Sequence, residues 1–319
     1  MTYLSSRLAA AAAVFPATMP AQAQDLELTI TAPAGAGGGW DSAARSLQEV
    51  MMATGNARSV QVINVPGAGG TVGLAQFVQG AAGSSDQLLV GGITMVGAII
   101  TNKAPYDLTK VTPIARLTGD PLVIVVPASS PYQTMADLIE GIKKDVEHTI
   151  WAGGSAGGAD HILAALVTQA AGQDPAKVNY VAYSGGGESL AAMLGGQVTA
   201  GVSGYGEWQG QIESGDLRAL AISYPEPIEG IAAQPLKAQG IDIELVNWRG
   251  IFAGPDISDE DKATLEAAVT KTVQSPEWKE LIKARGWSDY YAPSDEFTSF
   301  IASETERVHQ ILASIGLAE

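Results

Sequence analysis

No cysteine occurs among the 319 residues, so disulfide scaffolds, thiolate zinc sites, iron–sulfur clusters and cysteine nucleophiles are excluded together. Charge is scarce at 16% of positions, and basic charge is scarcer: 18 Lys and Arg stand against 34 Asp and Glu, a formal charge of −16. That balance argues against nucleic acid or an anionic membrane as the main partner. It does not exclude a small anionic ligand, because hydrogen-bond donors act at contact range while surface charge is screened beyond about 8 Å at physiological salt. Past the first two dozen positions, no apolar run reaches the roughly 18 to 20 residues that span a bilayer, so the mature protein is expected to be soluble. What the chain does have is 46% hydrophobic residues, enough for a substantial core and two domains, which excludes disorder as a description of the whole.

The opening segment MTYLSSRLAAAAAVFPATMPAQA has the form of a secretory signal, with Arg7 as the positive start, Leu8 to Val14 as the apolar stretch and Ala21-Gln22-Ala23 as the cleavage site. Residues 1–23 are therefore expected to be removed on export, taking the formal charge from −16 to −17 with the loss of Arg7. Beyond them, short β-branched runs alternate with helical patterns, which predicts an α/β fold. Strands are expected at Leu26–Thr31, Ser59–Asn64, Gln87–Val90, Leu122–Val126, Thr149–Ala152, Val178–Tyr183, Leu217–Ser223 and Gly250–Ala253. Asp41 reads as the cap of one helix and Thr71 of another. Thr134 with Asp137, and Ser258 with Asp261, read as capping boxes. From Ser258 onward the chain reads as nearly all helix. Gly119-Asp120-Pro121 and the Pro-rich stretch 224–235 look like boundaries. A chain crossing twice makes one domain of 24–120 plus 246–319 and a second of 121–245; a single crossing gives two sequential domains.

Four times an expected strand runs into a glycine-rich loop that opens a helix: Gly35 to Asp41, including Gly37, Gly38, Gly39 and Trp40; Gly67-Ala68-Gly69-Gly70-Thr71; Gly153 to Gly158, including Ser155, followed by Asp160 and His161; and Ser184-Gly185-Gly186-Gly187-Glu188. Glycine permits close backbone approach, and the unpaired N–H groups and dipole of a helix start attract negative oxygen. The set points to an anion pocket, with tight turns lacking any ligand as the plainer reading. Ser203-Gly204-Tyr205-Gly206 offers a further hydroxyl and turn. Both near-matches to the dinucleotide fingerprint fail at the third glycine, and no GxxxxGK[ST] occurs, so no nucleotide cofactor is expected; His148 and His309 share no metal-ligand spacing. Gly153-Gly154-Ser155-Ala156-Gly157 fits the G-x-S-x-G nucleophile elbow, which keeps a secreted serine esterase using Ser155 and His309 as an alternative. Trp40, Tyr183, Tyr205, Trp208 and Trp248 sit in or beside glycine-rich turns, which reads either as rings walling a polar pocket or as ordinary packing. Arg249 reads either as the cation of a carboxylate site or as half of an ion pair.

Six segments, PAGAGGGWDSAAR (33–45), NVPGAGGTVGLAQFV (64–78), PLVIVVPASSPYQTMADL (121–138), WAGGSAGGADHILAAL (151–166), VNYVAYSGGGESLAAMLGGQVTAGVSGYGEW (178–208) and NWRGIFAGP (247–255), cover almost the whole mature chain in order. In them the sequence resembles the tripartite tricarboxylate transporter substrate-binding proteins, the TctC or Bug family of extracytoplasmic solute receptors. The resemblance implies a two-domain periplasmic binding protein, type II-like, joined by two crossings and closing by a hinge on a ligand between the domains. It further implies that ligand carboxylates are held by backbone N–H groups and water in Gly37–Asp41 and Gly67–Thr71, with Ser155–His161, Ser184–Glu188 and Ser203–Gly206 completing the pocket. The partners implied are a small di- or tricarboxylate such as citrate and membrane transporter subunits, with no cofactor and no catalysis. A receptor that presents its closed form to a signalling partner is the other reading. A monomer is expected, as no heptad or long apolar face stands out.

Overall fold

A computed structural model describes residues 26–183 and 186–319; the expected signal segment and Ser184 lie outside the described residues. Strand β1 (Glu27–Ala32) pairs in parallel with β2 (Ser59–Asn64) and β3 (Gln87–Gly92). The long β4 (Thr112–Pro127) is the spine of the molecule. Its first part, to Pro121, pairs antiparallel with β9 (Val246–Ala253) and β10 (Ser288–Pro293). From Leu122 its partners are β7 (Ala200–Gly204) and β8 (Leu217–Ile222), and β5 (Ile150–Gly153) joins β7 to β6 (Asn179–Ala182). The main path runs β2-β1-β3-β9-β4-β7-β5-β6.

The expected break at Gly119-Asp120-Pro121 is instead the middle of β4. Pro121 has no N–H for a ladder, and it stands where β4 changes partners, so a turn signal marks a handover between sheets. In the following Leu122-Val123-Ile124-Val125-Val126 every side chain is buried. Leu122, Ile124 and Val126 enter the larger core and Val123 and Val125 the smaller one, the period-2 division expected of a strand covered on both faces.

The helices are α1 (Gly39–Ala53), α2 (Thr71–Gly80), α3 (Ile93–Thr101), α4 (Met135–Lys144), α5 (Ala159–Ala170), α6 (Gly186–Leu194), α7 (Tyr205–Glu213), α8 (Asp259–Val273), α9 (Pro276–Ala284) and α10 (Ser294–Ser314). Thr134 and Asp137 form the expected reciprocal capping box on α4, and Ser258 caps α8 through the Asp261 N–H. Asp41 is not a cap: Gly38 holds that position and Asp41 is the third residue of α1. Thr71 likewise opens α2 behind its cap Gly70, its hydroxyl donating to the Ala68 carbonyl. Within the span expected to be helical, β10 forms because Ala292 is buried against the edge of β4 while Tyr290 lies under the Arg116 guanidinium, 3.8 Å from ring centre.

Candidate functional site

The strand-to-helix loops converge on one cavity of about 750 Å³, within the range of small-molecule pockets. Its wall is made by residues 33–40, 66–70, Thr94, Gly154, Ser155, residues 158–160, residues 186–188, Ser203, Gly204, Glu207, Asn247 and Arg249. Helices α1, α2, α5 and α7 each begin at this wall behind a glycine cap, Gly38, Gly70, Gly158 and Gly204, which has no side chain to bond the helix start, although at α5 the Ala159 N–H donates to Thr94 Oγ1 at 3.3 Å. The first N–H groups of a helix have no intrahelical acceptor. Four helix starts therefore aim donor groups and positive dipole ends at one space.

The loops are held by side chains, of which Asp41, His161 and Tyr180 lie off the wall and Asp160 on it. Asp41 accepts from the Gly37 N–H (2.8 Å), Arg45 Nε (3.0 Å) and Asn64 Nδ2 (2.9 Å). Burial alone would raise its pKa, but the bonds from Arg45, Gly37 and Asn64 outweigh burial and hold it below the ordinary value. From Gly67 to Gly70 four successive residues have positive φ, including Ala68 at 46°, a path that a chain of larger residues would not follow. In the third loop the Gly154 N–H donates to Asp160 (2.7 Å) while Tyr180 donates to the Gly154 carbonyl (2.9 Å). His161 accepts the Gly157 N–H at Nδ1 (3.1 Å) and stacks on Tyr180 at 4.2 Å. Burial lowers its pKa to about 4, so the ring is neutral.

Set into the wall, with Asp120 behind it, is a cluster of charge. Arg249, 2% exposed, donates through Nη2 to Asp120 at 2.5 Å and stacks over Trp287, 4.8 Å from the ring centre. Asp120 is raised to about 6, burial being opposed by Arg249 and reinforced by Glu207. Asp160, part-exposed to the cavity, is raised to about 7 by burial, with the Gly154 bond and Arg249 opposing and Glu207 and Asp120 adding. Glu207 accepts from Ser203 Oγ (3.2 Å) and from the Gly186 N–H; burial raises its pKa against the pull of Arg249, Ser203 and Gly186. Gly39, Gly186 and Gly204 make room for this cluster: a Cβ on Gly39 would meet Arg249 Nη2 at 2.6 Å, and one on Gly186 or Gly204 would collide with Glu207 or Asp120. Part of the glycine signal therefore serves buried carboxylates and a guanidinium.

Of the residues expected at the site, Gly37, Gly38, Gly39, Trp40, Gly67, Ala68, Gly69, Gly70, Ser155, Gly158, Asp160, Gly186, Gly187, Glu188, Ser203 and Gly204 are brought together on the wall. Asp41, Thr71, His161 and Tyr205 lie off it, the first three bonded into the loops behind. Of the five aromatics only Trp40 reaches the wall; Trp208 and Trp248 are fully buried core residues whose indole N–H groups donate to the Gly186 carbonyl and Glu304. Ser155 is not in the left-handed region, and no histidine lines the cavity among the described residues, so the nucleophile elbow is not formed. Asp120, Glu207, Asn247 and Thr94 were missed. Glu207 sits two residues beyond the Gly204-Tyr205 turn, in the first turn of a helix, where an acid alone reads as a dipole partner.

The fold is that of the periplasmic binding proteins, and a receptor with a cavity between two sheet halves is the class it defines. The profile of the tripartite tricarboxylate transporter family receptor, TctC, matches residues 43–317. The chain belongs to that family of solute-binding receptors. It is 28% identical over 98% of its length, and 95% of the other protein's, to the Cupriavidus necator UPF0065 protein in gbd 5'region. Among solved structures, R. palustris Rpa4515 with adipate superposes at a TM-score of 0.83 with 19% identity, covering 92% of this chain and 98% of that one. MatC from Rhodopseudomonas palustris with bound malate superposes at 0.78 with 21% identity, covering 93% and 100%. Among the described residues no helix is long and apolar enough to cross a membrane.

Proposed function

We propose that the chain is a periplasmic receptor, cleaved near Ala23, that captures a small di- or tricarboxylate, citrate-like, and hands it to a tripartite tricarboxylate transporter. The observation that carries this reading is the convergence of four glycine-capped helix starts on one cavity. Neutral N–H donors bind carboxylate strongly in a partly dehydrated cleft, which is how a chain of formal charge −16 holds an anion without a basic cluster. Malate in MatC and adipate in Rpa4515 are the kind of ligand such a cleft takes. The ligand contacts assigned are the backbone of Gly37–Gly39 and Gly67–Gly70 from one side and Ser155, Gly158, Gly186–Glu188 and Ser203–Gly204 from the other. The division into 24–120 plus 246–319 and 121–245 is supported by the change of β4's partners between Pro121 and Leu122, and those two crossings are where a hinge would act on the monomer.

The test is a thermal-shift screen of residues 24–319 against mono-, di- and tricarboxylates, amino acids, sugars and aromatic acids, confirmed by calorimetry and by recovery of the ligand. At 100 times its dissociation constant a ligand adds about 2.7 kcal/mol, on the order of 5 °C for a chain of this size. Stabilisation by carboxylates recovered unchanged is the expected result. No shift with any carboxylate, or turnover of an ester, would overturn the reading.

A further inference from the structure

The cavity wall carries a charge pattern that a site made only of backbone donors does not need. Asp160, Glu188 and Glu207 line it, and Arg249 is the one cationic side chain on the wall among the described residues. Arg249 is nearly sealed from solvent; one end of its guanidinium is held by Asp120, and Nη1 is buried with no hydrogen-bond partner among the described residues. Glu207 differs from Asp120 in being exposed to the cavity. Its place is fixed by three neighbours: Ser203 Oγ and the Gly186 N–H donate to it, and the Arg249 charge favours its ionised form. Gly39, the first residue of α1, lies against both side chains, since a methyl group there would be 2.6 Å from Arg249 Nη2 and 3.3 Å from Glu207 Oε1. The helix start that offers donors to a ligand carboxylate thus stands directly beside a fixed carboxylate acceptor.

This juxtaposition constrains the ligand. A carboxylate seated at the start of α1 brings the carbon that bears it opposite Glu207. If that carbon carries only hydrogen, two negative groups face each other with nothing between them. If it carries a hydroxyl or an ammonium group, that group donates into Glu207 and the like charges are bridged by a charge-assisted hydrogen bond. We propose that Glu207 is the specificity-determining residue of the cleft, selecting carboxylates that carry a hydrogen-bond donor, hydroxyl or ammonium, on the carbon next to the carboxyl group. Arg249 is its positioning residue: its Nη2 and Glu207 Oε1 both lie against Gly39, and its charge acts on the Glu207 carboxyl. The inference rests on the receptor reading above and adds the substrate class to it.

The experiment is isothermal calorimetry on residues 24–319 with dicarboxylates of four, five and six carbons, each unsubstituted, 2-hydroxylated and 2-aminated, together with tricarballylate against citrate. A donor-bearing member is expected to bind about tenfold or more tightly than its unsubstituted counterpart, because a site built to bond a polar group rejects the analogue lacking it. Glu207→Ala should erase that ratio while leaving unsubstituted acids equal or tighter. Glu207→Gln separates the two donors: an ammonium preference is lost with the charge, whereas a hydroxyl preference survives on the amide oxygen. Thermal unfolding of each variant shows whether it is folded, and a selectivity ratio does not change if Glu207 is merely structural. Equal affinities across each set, or a uniform loss for all ligands in Glu207→Ala, would remove the assignment and leave the receptor standing. Absence of binding by every member would remove both.

Discussion

Replacing Arg249 by Met keeps an apolar stem against Trp287 and removes, among the described residues, the only side-chain partner of the Asp120 carboxylate, which is 1% exposed and whose Oδ1 has no partner among them. Breaking a buried pair from one side strands the other charge, at a cost of about 3–5 kcal/mol. Asp120 has a way to relieve that cost, which is to take up a proton. Its pKa is about 6 with the guanidinium beside it and must rise when the guanidinium is gone. Arg249→Met is therefore expected to cost the most at pH 7.5 and markedly less at pH 5, where Asp120 is neutral. Asp120→Asn added to Arg249→Met replaces the stranded charge by an amide and should recover about 2 kcal/mol of the loss at pH 7.5. Denaturation midpoints and slopes for the four proteins of the cycle at both pH values give these numbers directly. A cost below about 1 kcal/mol for Arg249→Met at pH 7.5, or the same cost at both pH values, would refute the reasoning.

Gly39→Ala gains helix propensity of about 1 kcal/mol but places a methyl 2.6 Å from Arg249 Nη2, so it should destabilise by about 1–3 kcal/mol and weaken ligand binding; Gly35→Ala, with nothing within 4 Å of its Cβ and no positive φ, should change neither melting temperature nor affinity. The unliganded protein should melt at lower temperature as the pH rises from 5 to 8, because Asp120 at about 6 and Asp160 at about 7 are raised above the ordinary carboxylate value, so the stability they contribute is complete below about 4 and is lost as pH climbs through 6 and 7. Asp160→Asn should flatten that fall, and an unchanged slope would show that the cleft carboxylates are not its source. Asp41 works in the opposite sense, its lowered pKa making Asp41→Asn most costly at neutral pH and least costly once acid has protonated the wild-type group; a loss that did not shrink on acidification would contradict the role of its charge in holding the Gly37 loop.

What could be read from the sequence was whatever depends on neighbours along the chain. Ser59–Asn64 appears in the structure with the same ends, and the Thr134/Asp137 and Ser258/Asp261 caps are local hydrogen bonds between residues three apart. Most of the glycine-loop residues expected at the site do lie on one wall, because a strand running into a glycine-rich helix start is a local pattern with a fixed position in an α/β sheet. The first half of β4 was invisible because Thr112-Pro113-Ile114-Ala115-Arg116 does not alternate; Arg116 is accommodated by lying across Tyr290 and Phe300, which belong to distant elements. β7, Ala-Gly-Val-Ser-Gly, is short, with glycine or serine at three of its five positions, and forms between β4 and β5. The Asp120–Arg249 pair joins positions 129 apart, and no pattern along the chain announces it. Asp41 was misassigned for the converse reason: its residue type is the usual cap, while the glycine before it holds the cap position and the aspartate reaches back to bind the loop from below.

The distribution of caps explains why this wall suits an anion. Helices α4, α8 and α9 are capped by Thr134, Ser258 and Ser275, whose hydroxyls accept an N–H of the first turn. The four helices that begin at the cavity behind Gly38, Gly70, Gly158 and Gly204 have no such bond. Glycine in place of serine at a cap costs only a few tenths of a kcal/mol, so four uncapped starts are a small loss to the fold. The first N–H groups of a helix lack intrahelical acceptors, those of Thr71 and Ala159 being met by the Ala68 carbonyl and Thr94 Oγ1, and a hydrogen bond from a remaining donor to a charged group contributes roughly 1.5–3 kcal/mol. The exchange favours binding by a wide margin, and it works without a further basic side chain beside the Asp160 and Glu207 carboxylates of the same wall. The one guanidinium on this wall among the described residues, that of Arg249, is engaged by Asp120 through Nη2. A chain with so few basic residues can therefore receive an anion because the donors that meet it are neutral, and Glu207 stands beside them as an acceptor for what else the ligand carries.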